Sequence, residues 1–415
     1  MAKVLVVGGG GREHAIVSSL SKSKKVEKIF AAPGNAGIAN IAECLNIKDT
    51  EVSKIVDFAK SNNIDLVVVG PEASLALGII DELRNAGIKA FGPSKAAAQI
   101  EASKNFAKDL MFKYNIPTAR YEVFTNYQEA IDYVKVSPIP TVIKYDGLAA
   151  GKGVVVAMTL EEADNALKDM LLDDKFGHGK VVIEEYLEGP EFSFMCLVNG
   201  ENVYPLEMAQ DHKRAYDNDM GPNTGGMGAY SPLPFITKED YEYALNEIMI
   251  PTAKAMVNDG CPFTGVLYGG LMKTKRGIKV IEFNARFGDP ETEVVLPRLT
   301  SDIYDVFCAI CDGNAPKLEW DNKYTIGIVL ASKGYPGDYK KGFVIKGADK
   351  ENIFHMGTKR NENGELVTNG GRVLFAVASG DTLEDANKKA NELVNTIECE
   401  NLFHRTDIGA KAYRK

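Results

Sequence analysis

The first hundred residues alternate short apolar runs with segments of helical period, and this rhythm constrains the fold more than any other feature. Apolar runs at 3–7, 28–31, 65–69 and 88–91 predict strands, and 12–20, 51–61 and 75–86 predict helices between them. Strands that alternate with helices build a parallel sheet covered on both faces. Ligands of such sheets sit beyond the carboxyl ends of the strands. Three turn-rich loops fall at that edge: 8–11 (GGGG), 33–37 (PGNAG) and 70–72 (GPE). The first does not complete a dinucleotide fingerprint. Glu13 stands where the third glycine of G-x-G-x-x-G belongs, and Ala31 and Ala32, not an acid, close the second strand. Two readings of 8–11 stay open. It is a backbone N–H cradle for one phosphate at a helix start, or a glycine turn that lets strand and helix pack closely.

The pattern changes after Glu101. A helix is predicted at 103–112, carrying Lys104. The segment 144–157 (KYDGLAAGKGVVVA) is rich in glycine and lysine but is not a P-loop. Lys152 is followed by Gly153, and Asp146 occupies the place of the first glycine. Strands at 142–144 and 154–157 make it a hairpin, read either as a flap over a triphosphate or as an exposed turn. A helix follows, with Thr159 and Glu162 as a capping box and Leu160, Ala163, Leu167, Met170 and Leu171 as its buried stripe. The segment 180–191 is a strand that runs out through several acids. It is an edge strand with its acids in water, or a connector that presents its backbone to a nucleotide. The long polar, glycine-rich stretch 209–231 is the kind of loop that is functional or disordered. Alternation along 278–293 places Glu282, Asn284 and Arg286 on one face of a strand. Two oxygen ligands and a guanidinium suit Mg²⁺ and phosphate, since Mg²⁺ takes one or two protein carboxylates and completes its shell with phosphate and water. A solvated, internally paired face is the other reading.

Composition excludes several classes. The chain has 57 acidic and 48 basic residues, a net charge of −9, which suits no dedicated nucleic-acid binder. No apolar run reaches the length of a membrane span, and no signal-peptide pattern opens the chain. The six cysteines are sparse, as expected of a reducing, cytoplasmic setting. Cys308 and Cys311 form a CxxC inside an apolar helical stretch, 303–311, and read as core. The last part of the chain predicts strands at 324–331 and 372–379 and a helix at 381–397. The basic residues of 401–415 read as a packed or solvated end. No Ser–His–Asp or Cys–His arrangement is apparent.

Taken together, the motifs resemble one family along essentially the whole length: VLVVGGGGREHAI, PGNAG, GPE, FGPS, IEASK, IKYDGLAAGKGV, EEYLEGPEFS, AQDHKR, GPNTGGMGAYSP, EFNARFGDPETE, VLASKGYPG, HMGT, GGRVL and RTDIG. The chain resembles the phosphoribosylamine–glycine ligases of the ATP-grasp superfamily. The resemblance implies an α/β chain, α+β in its centre: a Rossmann-like parallel-sheet domain at 1–101, an ATP-grasp domain at 102–322 with a mobile lid at about 122–188, and an α+β domain at 323–415. It implies ATP and Mg²⁺ or Mn²⁺ as cofactors, glycine and 5-phosphoribosylamine as substrates, a cytoplasmic monomer, and no nucleic-acid or membrane partner.

Residue by residue, the resemblance puts Lys104, Lys144, Gly151, Lys152 and Gly153 at the ATP phosphates. Glu184 and Leu187 offer backbone groups to adenine, Glu191 holds the ribose, and Glu282 and Asn284 hold the metal. Gly9, Gly10, Gly11, Arg12 and Asn35 take the sugar phosphate, and Asp211, His212, Arg214, Gly225 and Arg286 the other substrate groups. Arg286, Asp211 and Lys144 are the expected catalytic residues. One departure is visible: the strand before Glu282, 267–271 (LYGGL), lacks the further metal carboxylate found in many ATP-grasp proteins. Its rivals are an ATP-grasp ligase with another acceptor and a catalytically silent nucleotide-binding regulator. AQDHKR and GPNTGGMGAYSP speak against the first, and the retained lysines, Glu282, Asn284 and Arg286 against the second.

Overall fold

A computed structural model describes residues 1–147, 153–173, 175–177 and 179–413. Its first sheet is parallel: β1 (Ala2–Gly8), β2 (Val26–Pro33), β3 (Glu43–Cys44), β4 (Leu66–Val69) and β5 (Ala90–Phe91), in the order β3-β2-β1-β4-β5. The apolar run 4–7 is continuous because both faces are covered. Leu5 and Val7 join one core, Val4 and Val6 another. The chain leaves β1 toward β2 on one side and returns to β4 on the other. The crevice of this switch point opens where the loops after Gly8 and Val69 diverge. The helix expected at 75–86 is two, Glu72–Leu77 and Ile79–Asn85. Gly78 breaks it with φ +91°, a left-handed conformation that ends a helix.

A small antiparallel sheet follows: β6 (Tyr121–Phe124), β7 (Thr141–Tyr145), β8 (Val154–Ala157) and β9 (Val181–Glu185), ordered β6-β9-β7-β8. Helices Tyr127–Val136 and Leu160–Leu171 pack on it and share a separate core with Ile143 and Ile183. Thr159 Oγ1 accepts from Glu162 N at 3.1 Å, while Glu162 Oε2 accepts from Met158 N, one residue earlier than a capping box predicts. β9 lies inside this sheet, so the acidic strand is not an edge.

The central sheet is antiparallel and flanks the long polar stretch. β10 (Glu191–Asn199) and β11 (Asn202–Pro205) precede it, and β12 (Gln210–Asp211), β13 (Arg214–Tyr216), β14 (Met220–Asn223) and β15 (Gly228–Ser231) lie in it. β16 (Thr264–Thr274) and β17 (Gly277–Asn284) come after, giving the order β11-β10-β16-β17. The last strands are β18 (Tyr324–Ser332), β19 (Ile353–His355), β20 (Thr358–Arg360), β21 (Leu366–Thr368), β22 (Arg372–Gly380) and β23 (Leu402–Phe403). The stretch 209–231 is therefore not one long loop. β12 and β15 extend the last sheet, β12-β15-β18-β22-β19, and β13 and β14 form a hairpin. Arg405, with a fully buried side chain, pairs with Asp219 and Asp407, so this residue of the basic end is packed. Cys308 and Cys311 lie on helix Ile303–Cys311. Burial raises both thiols, Cys311 to about 12, and both side chains are partly buried against the core. Among the described residues no helix is long and apolar enough to cross a membrane.

Candidate active site

β17 delivers Glu282 and Asn284 to its carboxyl end, opposite Gly270 and Tyr268 of β16. A Cβ on Gly270 would stand 3.2 Å from Glu282 Cγ, so the neighbouring strand gives room there instead of a second carboxylate. Burial pushes the Glu282 carboxyl up, but Lys213, Lys144, Lys104 and Arg286 together hold it below its ordinary value. Lys213 lies 4.0 Å from Glu282 and is ion-paired with Glu191. Arg286 follows the strand end. Its Nη2 lies 3.0 Å from Glu101 Oε1 and 3.3 Å from Asn284 Oδ1, and its Nε 3.6 Å from Glu72 Oε2. Burial alone would lower this guanidinium, and Glu101 and Glu72 more than offset it.

The lysines come from elements facing this strand end. Lys104 opens helix Lys104–Lys113 and donates to Gly147 O at 2.9 Å, and burial lowers its ammonium. Asp146, the residue that spoils the P-loop pattern, accepts from Ser103 Oγ and Asn105 N, both at 3.1 Å. It ties the start of the glycine hairpin to the helix that carries Lys104. Lys144 on β7 lies 2.9 Å from Glu184 Oε1 and donates to Ile281 O at 2.9 Å. The Glu184 carbonyl accepts from Thr141 Oγ1, and Leu187 is buried just beyond β9. Gly153 O accepts from Tyr145 N at 2.8 Å, continuing the hairpin. Gly151 and Lys152 lie outside the described residues.

A cleft of about 360 Å³ adjoins this cluster. Gly9, Gly10, Gly11 and Asn35 wall it from the first sheet, Tyr335 and Arg372 from the last. Asn35 Nδ2 donates to Gly9 O at 2.9 Å and to His355 O at 2.7 Å, which joins the two walls. Gly10 N donates to Glu13 Oε2 at 2.6 Å. Arg372 Nη1 donates to Gly225 O at 2.7 Å and pairs with Asp289 Oδ1 at 2.9 Å, and Gly225 N donates to the Tyr335 hydroxyl at 2.9 Å. Asp211 sits close by with Oδ1 unpartnered; burial, then Glu291, hold its carboxyl well above the usual range. Glu293, fully buried and also raised by burial, then Asp289, packs against the Gly11 backbone. The segment 282–293 thus belongs to both places: Glu282, Asn284 and Arg286 to the cationic cluster, Asp289 to the cleft, with Glu293 buried behind Gly11.

Family models match the chain in three consecutive pieces. These are the phosphoribosylglycinamide synthetase N domain at residues 2–101, its ATP-grasp (A) domain at 102–292 and its C domain at 325–411. The chain belongs to the phosphoribosylglycinamide synthetase family. It is 55% identical over 415 residues to the phosphoribosylamine–glycine ligase of Halalkalibacterium halodurans, covering 99% of this chain and 97% of that one. It is 52% identical over 417 residues to that of Listeria monocytogenes, covering 99% of each. The crystal structure of the Thermotoga maritima phosphoribosylamine–glycine ligase matches with a TM-score of 0.88 at 34% identity, covering 98% of this chain and all of that one. Biotin carboxylase from Campylobacter jejuni shares the fold at a TM-score of 0.75 and 14% identity, over 97% of this chain and 92% of its own.

Within this family member, most residues singled out from the sequence fall into the two clusters. Lys104, Lys144, Glu184, Glu191, Glu282, Asn284 and Arg286 form the first, and Gly9–Gly11, Asn35, Asp211 and Gly225 surround the cleft. Arg214 and His212 do not reach either: Arg214 donates to Gly221 O within its own hairpin, and His212 is enclosed, with Nε2 accepting from Gly409 N at 3.2 Å. Arg12 lies between the two, beside Glu13 and donating to Phe287 O of segment 282–293 at 3.1 Å, near Glu72 and Asp289. Lys213, Arg372, Glu101 and Tyr335 also stand at these places, and Lys108 beside Glu184, without having been singled out from the sequence. Lys213 stands in AQDHKR and Glu101 in IEASK, so those motifs were the available signal.

Proposed function

We propose that the chain joins the carboxylate of glycine to the amine of 5-phosphoribosylamine at the expense of ATP, giving glycinamide ribonucleotide, ADP and phosphate. The observation that carries this reading is segment 282–293, which puts a cationic cluster and a sugar-sized cleft within one short run of chain. Lys104 and Lys144 grip the ATP phosphates. The backbones of Glu184 and Leu187 meet adenine, and Glu191 the ribose. The donor set at the end of β17 fits a hard divalent cation. Glu282 is held ionised by four cations, and Asn284 Oδ1 carries only a long bond from Arg286. A divalent cation held by Glu282 and Asn284 would take its remaining ligands from phosphate and water. Mg²⁺ or Mn²⁺ held there supplies charge neutralisation for phosphoryl transfer.

Glycine attacks the γ-phosphorus through a carboxylate oxygen as the bond to ADP breaks, giving glycyl phosphate. The amine of 5-phosphoribosylamine, held by Gly9–Gly11, Asn35 and Arg372, then attacks the acyl carbon, and phosphate leaves. Phosphoryl transfer needs positioning and charge neutralisation more than covalent help, and the lysines and Arg286 supply both. Asp211 receives the glycine ammonium. The small sheet 121–185 and the Gly225 loop close over the acyl phosphate and keep water out. The chain divides into working units at 1–101, 102–322 and 323–415, with β12 and β15 stitching the second to the third, and acts as a cytoplasmic monomer on small molecules. ADP release measured with each substrate omitted in turn tests the reading. It requires both glycine and ATP for ADP and all three for glycinamide ribonucleotide; steady ADP formation without glycine would count against it.

A further inference from the structure

Lys108 has no place in either cluster, yet its side chain is only 3% exposed. A lysine is rarely enclosed so completely unless it is paired. It lies one helical turn after Lys104, with Nζ 3.0 Å from Glu184 Oε2 and donating to Thr118 Oγ1 at 2.8 Å. The Thr118 hydroxyl donates in turn to Val280 O at 2.8 Å, two residues before Glu282. The other Glu184 oxygen lies 2.9 Å from Lys144 Nζ, which also donates to Ile281 O. Two ammonium groups therefore share one buried carboxylate, and each also reaches β17, Lys108 through Thr118 and Lys144 directly. Glu184 and Lys144 ride on the small sheet 121–185, whereas Lys108 stands outside it.

A buried carboxylate with a single cationic partner resists giving it up, because the charge left behind is uncompensated. With two partners it keeps one when the other leaves. We propose that Lys108 is a positioning residue: it holds Glu184 as Lys144 turns to the ATP phosphates, so that Lys144 is released without leaving a bare buried charge. The inference rests on the reading that Lys144 grips ATP. Burial pulls the Lys108 ammonium down to about 8 against the pull of Glu184, so it stays largely cationic at neutral pH.

The test is the affinity of the full chain for a non-hydrolysable ATP analogue with Mg²⁺, by calorimetry, in five proteins: the parent, Lys108→Met, Glu184→Gln, the double variant and Lys144→Met. Lys108→Met leaves Glu184 dependent on Lys144 alone and weakens binding about tenfold or more. The double variant removes the carboxylate charge that detains Lys144, and returns affinity to within about threefold of Glu184→Gln. A purely structural Lys108 would leave the double variant as weak as the single. Parent-like binding by Lys108→Met, or a double variant no tighter than Lys108→Met, overturns the inference. Lys144→Met separates the two layers: parent-like binding there overturns the ATP reading itself, and lost binding upholds it whatever Lys108 does. Should Lys108→Met fail to fold by circular dichroism, Lys108→Gln, which keeps a donor but not the charge, replaces it with the same expectation.

Discussion

Replacing Gly9 and Gly10 one at a time by alanine separates the two uses a glycine loop can have. A Cβ on Gly9 would lie 2.4 Å from Gly34 O and 3.0 Å from Gly34 C. Both are backbone atoms, held in place by the Gly34 N–H bond to Gly8 O at 3.1 Å and by Asn35 on Gly9 O. No side chain can move aside, so the ends of β1 and β2 must part by about 1 Å to reach ordinary contact. Overpacking of this kind costs about 1–3 kcal/mol, a melting temperature lower by several degrees at about 2–4 °C per kcal/mol. Gly10 is different. Its φ of −90° and ψ of −172° suit any residue, and its Cβ would meet Glu13 Oε2 at 3.0 Å and Asp289 Oδ2 at 3.4 Å. Both are side-chain ends that can give slightly, so Gly10→Ala changes stability by less than about 1 kcal/mol. Its methyl instead narrows the cleft toward Asp289. The KM for 5-phosphoribosylamine rises about tenfold or more, while that for ATP stays put. Differential scanning calorimetry and initial rates, with the amine formed in situ from ribose 5-phosphate and ammonia, read both effects. A Gly9→Ala protein that melts like the parent, or Gly10→Ala raising both KM values alike, would refute the reasoning.

Three further outcomes are expected. Glu282→Gln lowers glycine-dependent ADP formation by about 100-fold or more with an unchanged far-ultraviolet spectrum, because the ionised carboxylate at the end of β17 is lost; near-normal turnover would remove the metal assignment. Burial, then Glu291, raise the Asp211 carboxyl in the free enzyme, so binding of the glycine ammonium, which favours the carboxylate, is accompanied by proton release. Calorimetry in two buffers of different ionisation enthalpy measures that release, and glycine binds more weakly as pH falls; zero release contradicts the role. His14 and His212 titrate near 6.5 when unfolded and are pulled to about 3 in the fold, both by burial first, then by His355 for His14 and by Lys411 and Arg405 for His212. The unfolded chain binds the extra protons between those values. Their stabilisation is therefore complete above pH 6.5 and is lost at about 1.4 kcal/mol per pH unit each as pH falls toward 3. Urea titrations at pH 7.5 and 5.5 show a smaller loss in His212→Asn than in the parent; equal losses would contradict the buried, neutral ring.

The parts of the fold that local pattern specifies were legible in the sequence. The parallel sheet follows from apolar runs closed by glycine, and the hairpin at 142–157 from strands flanking a glycine loop. What was not legible depends on partners distant in the chain. Nothing in 209–231 announces that β12 and β15 pair into a sheet with β18, about a hundred residues on, and the stretch reads as a loop because its glycines and polar residues mask four short strands. Gly78 breaks a helix whose apolar period runs straight through it. Arg286 belongs with Glu282 and Asn284, yet not as a strand residue: β17 ends at Asn284, and Glu72 and Glu101 bring the guanidinium back. Arg372 and Tyr335 wall the cleft from the far end of the chain, and only tertiary contact assigns them there. His212, singled out by its motif, has its ring enclosed and accepting from Gly409 N.

The central claim is that ATP activates the glycine carboxylate before the amine attacks. Glycine labelled with ¹⁸O in its carboxylate tests it directly, with the released phosphate analysed by mass spectrometry. One labelled oxygen is expected in each phosphate formed, in proportion to glycinamide ribonucleotide. Product made with unlabelled phosphate would contradict it.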